Sequence, residues 1–315
     1  MNKPAIKIDK LHKIYDDGFN ALKGIDLTIP QGSFFGLLGP NGAGKTTTIG
    51  ILTGLVNLTS GSASILGNDI VKEYKISRKN IGLSPQELNF DVFFSIEKML
   101  ILQAGYYGIP KNIAKERVNS LLKQFGLIHK AKNTARELSG GMKRRFQIAK
   151  ALVHDPPIII LDEPTAGVDI ELRHMLWEFL KKINSNGKTI LLTTHYIEEA
   201  ESLCNDVAII DQGKIITKGS PKKLINNLGK SILEIKIQNK NKVVNLKRWT
   251  HSINKNLLQI STKEPEADMP KIINLLNEQN ITIEEIKICK SSLEDVFLNL
   301  TGKSILSTDN KSNYV

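Results

Sequence analysis

Gly39-Pro40-Asn41-Gly42-Ala43-Gly44-Lys45-Thr46-Thr47 is the stretch that decides the fold. It fits the pattern G-x-x-x-x-G-K-[ST]. Before it stands the apolar run Phe34-Phe-Gly-Leu-Leu38, which reads as a strand, and after it TTTIGILTGL at 46–55 has helical spacing. Glycines in such a loop let consecutive backbone N–H groups converge on a phosphate, and the following helix N-terminus adds its dipole. The lysine, Lys45, reaches the β- and γ-phosphates, and the Thr46 hydroxyl is a ligand for Mg²⁺. A bare match arises by chance in roughly one chain in a hundred at ordinary glycine frequencies. The strand–loop–helix setting makes a glycine-rich turn with an incidental lysine the weaker reading. The stretch predicts a nucleoside triphosphate site.

Working outward, the next informative element is Ile158-Ile-Ile-Leu161-Asp162-Glu163. Four apolar residues ending in two carboxylates describe a buried strand whose C-terminal end opens at the ligand crevice of a parallel sheet. Taken alone, the acidic pair would more often be a solvated strand end. Beside a phosphate loop, Asp162 is expected to hold Mg²⁺ through water and Glu163 to polarise an attacking water.

The rest of the first 220 residues fits around these two elements. Short strands are predicted at 5–8 (AIKI) and 25–29 (IDLTI), with a turn at Asp16-Asp-Gly18 between them. From about 90 to 150 the pattern is helical (KERVNSLLKQFGL, MKRRFQIAKALV), which predicts a helical insertion. A second buried strand, TILLTT at 189–194, follows a helix expected from about 170 to 184. Strands alternating with helices indicate α/β architecture with a parallel sheet. The tripeptide Gly219-Ser-Pro221 breaks the pattern. Beyond it, SILEIKIQ and ITIEEIKI alternate with period two, whereas PKIINLLNEQ and the capped SSLEDVFLNL read as helices. The expected organisation is one domain over 1–220, a small α+β domain over 225–302 and a polar tail at 303–315.

Composition narrows the class without choosing the function. The 315 residues carry 41% apolar side chains and 23 glycines, close to globular averages, so collagen-like and disordered chains are excluded. Two cysteines, Cys204 and Cys289, cannot build a disulfide framework or a four-thiolate metal site. No stretch reaches the roughly 18 charge-poor apolar residues needed to cross a bilayer, and the first residues lack the apolar core of a signal peptide. A cytosolic protein is expected. The net charge is +11, from 28 basic and 22 acidic residues over 1–220 and 15 and 10 over 221–315. A basic balance favours phosphate-bearing partners, but with 6% aromatics and no basic run interleaved with them, no stacking platform for single strands is apparent.

Between the two elements lies Leu138-Ser139-Gly140-Gly141-Met142-Lys143-Arg144-Arg145, and here the chain resembles the ATP-binding subunit of ABC transporters over roughly residues 5–220. The resemblance implies a phosphate-loop ATPase head with an N-terminal antiparallel β subdomain and a helical insertion. Its signature loop reads LSGGQ, and the first four letters match. Ser139, Gly140 and Gly141 would then bind the γ-phosphate of ATP held by an opposing copy, while Met142 replaces the usual Gln. As a bare motif, Ser139 is also a helix N-cap, and a capped N-terminus is itself an anion site.

The remaining motifs occur in order. Gln86 in IGLSPQE resembles the glutamine that senses Mg²⁺ and the attacking water. Tyr15 in HKIYDDG resembles the aromatic that stacks on adenine. Asp169 in AGVD resembles the acidic residue that reaches across the dimer, and His195 after TILLTT resembles the switch histidine at the γ-phosphate. LSGGMKRR, DEPTAGVD, THYIEEAESLC and SSLEDVFLNLTG look like ATPases that pair with ABC-2 type permeases. The implied partners are a separate integral-membrane permease and a second copy of this chain on ATP binding, with no nucleic acid. The implied place is the cytoplasmic face of the cell membrane. The rival is a regulatory ATPase of the ribosome or of nucleic acid, supported by the net charge alone. Repair-type relatives need zinc cysteine clusters and cohesion-type relatives need coiled coils, and this sequence supplies neither.

Overall fold

The computed structural model describes residues 4–229, 231–238, 246 and 248–302. Among them the chain forms two compact units that divide between Ser220 and Pro221. The polar tail read at 303–315 lies outside the described residues.

The first unit opens with the hairpin β1 (Ile6–Ile14) and β2 (Asn20–Ile29), followed by β3 (Phe34–Leu38) and α1 (Lys45–Thr53). Then come β4 (Ser60–Ile65), the two-residue β5 (Asn68–Asp69), α2 (Tyr74–Lys79) and β6 (Ile81–Ser84). Three helices, α3 (Ile96–Tyr106), α4 (Lys111–Gln124) and α5 (Gly140–Leu152), make the helical insertion. The chain returns through β7 (Ile158–Asp162), α6 (Ile170–Ser185), β8 (Thr189–Thr194), α7 (Ile197–Leu203), β9 (Asp206–Asp211) and β10 (Lys214–Gly219). β1, β2, β4 and β5 form an antiparallel sheet in the order β2-β1-β4-β5. The other sheet has the order β10-β9-β3-β8-β7-β6, parallel throughout except for the β9–β10 pair.

Every residue of β3, β7 and β8 is buried, as expected for strands covered on both faces. Each of the four apolar side chains of β7 that leaves water contributes about 1.5–3 kcal/mol as an upper estimate. All the parallel strands point their C-terminal ends the same way, so the loop after β3, the acidic pair at the end of β7 and His195 after β8 emerge at one edge. Among the described residues, no helix is long and apolar enough to cross a membrane.

In the second unit α8 (Pro221–Leu228) precedes the sheet β12-β13-β11-β14, made of β11 (Ser231–Ile237), β12 (Thr250–Asn254), β13 (Leu257–Thr262) and β14 (Ile283–Cys289). All pairings are antiparallel. α9 (Pro265–Glu278) packs Ile272 and Leu276 with Leu233, Ile235, Leu258 and Ile260. α10 (Leu293–Thr301) starts at a reciprocal cap, in which Ser292 accepts from the Asp295 N–H and Asp295 accepts from Ser292. The break read at Gly219-Ser-Pro221 is a helix start: Pro221 is the first residue of α8, where a missing N–H costs nothing.

Candidate functional site

The glycine-rich loop leaves β3 and enters α1 at Lys45. Gly42 and Gly44 have φ of 78° and 110°, the left-handed region that glycine adopts without strain. Gly39 has no room for a side chain, because a Cβ there would stand 2.3 Å from the Ile210 carbonyl oxygen. A cavity of about 320 Å³ lies over the loop, lined by residues 41–47 together with Phe19, Ala21, Gln86 and Glu163. Lys45 folds back over the loop: its Nζ donates to the Gly39 oxygen at 2.7 Å and to the Pro40 oxygen at 3.2 Å.

Glu163 is the hub. Its Oε1 lies 3.7 Å from Lys45 Nζ and 3.2 Å from His195 Nδ1, and its Oε2 accepts from Gln86 Nε2 at 3.0 Å. Both Lys45 and Glu163 are about 5% exposed, so this pairing is little screened by water. Burial works against the Glu163 carboxylate. His195 and Lys45 outweigh it and hold the carboxyl below its usual range. Burial likewise lowers Lys45, against the attraction of Glu163 and Asp162. Asp162 goes the other way: burial pushes its carboxyl up, although the Thr193 hydroxyl bonded to it favours the charged form. Glu163 also sits at φ 49°, a conformation that costs a non-glycine residue on the order of 1 kcal/mol or more. Its N–H donates to the Thr193 carbonyl of β8 at 3.0 Å, which pins the strained turn.

A second cluster forms away from this cavity. Ser139 caps α5, its Oγ accepting from the Met142 N–H at 3.3 Å, and Asp169 caps α6, its Oδ1 accepting from the Leu172 N–H at 2.8 Å. The two caps are neighbours, for a Cβ on Gly141 would meet Leu172 Cδ2 at 2.4 Å. Thus Lys45, Thr46, Thr47, Gln86 and Glu163 line or border one cavity with His195 and Asp162 beside them. Residues 139–141 and Asp169 do not line it.

Tyr15 is half-buried, its hydroxyl 3.3 Å from Thr47 Oγ1 and its ring under the Lys13 ammonium. The aromatic that lines the cavity is Phe19, 6.5 Å from the Tyr15 ring and brought there by the turn in which the Tyr15 N–H bonds the Phe19 carbonyl. Sequence reasoning missed Phe19, which a hairpin turn five residues long could have flagged. It also missed Glu199, fully buried, whose Oε1 accepts from Thr165 Oγ1 and Trp177 Nε1 at 3.1 Å each. Finally, it missed Arg144 and Gln147, buried polar side chains one helical turn apart on α5.

The ABC transporter family model matches residues 22–166. A Nod factor export ATP-binding protein I from Burkholderia pseudomallei (strain 1710b) is 37% identical over 311 residues, covering 97% of this chain and all of that relative. This chain belongs to the ABC transporter family. It is an ATP-binding subunit of that family, and an ATPase. Among solved structures, cbiO1 from Clostridium perfringens, part of the cbiONQ transporter complex, is 31% identical with a TM-score of 0.65, covering 72% of this chain and 92% of that one. The cassette MJ0796, solved as a dimer in a post-hydrolysis state with ADP and Pi, is 28% identical with a TM-score of 0.64, covering 68% and 98%. The family match at 22–166 spans the phosphate loop and the helical insertion of this ABC ATPase subunit. ATP is therefore its nucleotide, and its ATPase activity serves a transporter.

Proposed function

We propose that two copies of this subunit close face to face on ATP, against a separate ABC-2 type permease at the cytoplasmic face of the cell membrane. The observation that carries the reading is the convergence of Lys45, Gln86 and His195 on the two oxygens of Glu163 at the mouth of the phosphate loop. The loop amides of residues 41–45 and Lys45 bind the phosphates, and Glu163 takes the proton of the attacking water while His195 orients it. Tyr15 and Phe19 receive the base. The Thr46 hydroxyl, Asp162 and the Gln86 amide are hard oxygen donors suited to Mg²⁺, and the buried Asp162 carboxyl gains from a cation at its side. When bound, that ion neutralises charge on the transferred phosphoryl group.

Ser139, Gly140, Gly141 and Asp169 stand apart from the cavity of their own chain, which supports their use on the nucleotide of the other copy. ATP then acts as a clamp, its γ-phosphate bridging the two chains, and hydrolysis opens them. Ser139 and backbone amides do the gripping, so Met142→Gln should retain ATPase activity within a few-fold; a hundredfold loss would assign Met142 a packing role. The likeness to ABC-2 type ATPases supports a drug, polysaccharide or lipid as the cargo class, chosen by the permease. The small unit over 225–302 is read as an accessory domain. Co-purification from the protein's own membranes tests the assembly. An integral-membrane chain lacking an ATPase motif is expected, whereas recovery with ribosomes or nucleic acid and no membrane protein would overturn it.

A further inference from the structure

The segment that carries Gln86 has no regular structure from residue 85 to residue 94, yet its backbone is gripped. Gln147 Nε2 of α5 donates to the Pro85 oxygen and to the Glu87 oxygen, both at 2.7 Å. Arg144 Nη1, one turn earlier, donates to the Gln86 oxygen at 3.2 Å and more loosely to the Pro85 oxygen and Gln147 Oε1 at 3.4 Å. Three consecutive carbonyls are thus held by two side chains that are 4% and 3% exposed. Polar groups this deeply buried normally serve such bonds, and losing them leaves the carbonyls unpaired. The functional consequence lies at the far side of the segment, where the Gln86 amide reaches Glu163 Oε2.

We propose that Gln147, braced by Arg144, is a positioning residue for hydrolysis. It fastens residues 85–87 to α5 and so sets where the Gln86 amide stands against Glu163. The inference rests on the reading of Glu163 as general base. It adds a direction of coupling: α5 is capped by Ser139, so a displacement at the phosphate-gripping end of this helix is passed through Gln147 to the catalytic carboxylate. The helix works as a rod, because its own hydrogen bonds keep it straight over about 1.5 Å per residue.

A double-mutant cycle on the full chain tests this. Q147M keeps the length of the side chain and removes both donated bonds; Q147E keeps its shape and removes the same donors. Either variant is expected to lower kcat about 10- to 100-fold, the size of a small misplacement at a reacting centre, with the KM for ATP changed less than twofold. In a chain already carrying Q86A, the same substitution should change kcat no further, because the residue it positions is gone. A merely structural glutamine would give equal losses in both backgrounds, and that result, or an unchanged kcat in the Gln86 chain, overturns the proposal. Near-normal turnover of a Glu163→Gln chain would instead overturn the reading of Glu163 as general base.

Discussion

Glu163→Gln is expected to lower ATP turnover roughly 10²–10⁴-fold, the usual contribution of a general base, while ATP binding survives. The substitution keeps the size of the side chain and an oxygen that can still accept from Gln86 Nε2, now 3.0 Å from the carboxylate. It removes the negative charge that pairs with Lys45 and faces His195. The loop amides, Lys45 and Thr46 remain in place for the phosphates. With hydrolysis stalled, the γ-phosphate should keep bridging two chains. Light scattering is expected to show a monomer without nucleotide and a dimer with ATP, with ADP unable to substitute. Equal dimerisation with ADP would remove the γ-phosphate as the clamp, and near-normal turnover would remove Glu163 from the chemistry.

Lys45→Ala carries the second large effect. The ammonium is buried, donates to two loop carbonyls and lies near Glu163 and Asp162, whose carboxylates oppose its loss of charge. Removing it deletes a charge-assisted bond to the phosphates, which typically stabilises by about 1.5–3 kcal/mol, so ATP affinity should fall roughly 10- to 100-fold. Hydrolysis should drop to background even at saturating ATP, because developing charge on the transferred group loses its partner. Equilibrium nucleotide binding and steady-state turnover check both halves. Activity close to that of the wild type would show that the loop takes no part in the reaction.

The parallel core was legible in the sequence because burial on both faces writes continuous apolar runs, as in Ile158-Ile-Ile-Leu161 and in TILLTT at 189–194. β4 left no such trace: Ser60-Gly-Ser-Ala-Ser-Ile65 is built of small residues, and its strand is set by register with β1. β9 and β10 pair across a tight turn whose Asp211-Gln-Gly-Lys214 connection is a weak signal alone. At the site, the spacing of the phosphate loop is a local rule, and so it is readable. The distances that gather Gln86, Glu163 and His195 are not local, since they follow from strand order. Arg144 and Gln147 were hidden for another reason. They belong to a basic run that reads as a solvated face, and only the placement of Phe146, Ile148 and Ala149 around them shows that the whole side of α5 is buried.

Strand order also governs when this molecule can be assembled during its synthesis. β3, early in the chain, lies between β8 and β9, each of which is made only after some 150 further residues have been added. Until those strands leave the ribosome, Phe34, Leu37 and the glycine-rich loop behind them have no neighbours on either side, and Gly39 lacks the Ile210 backbone it packs against. Long-range parallel pairing of this kind is slow and leaves apolar strands exposed meanwhile. A nascent chain halted before residue 206 would therefore hold the whole phosphate-loop sequence and every catalytic side chain named above while being unable to form the nucleotide cradle, so that binding competence arrives late and all at once.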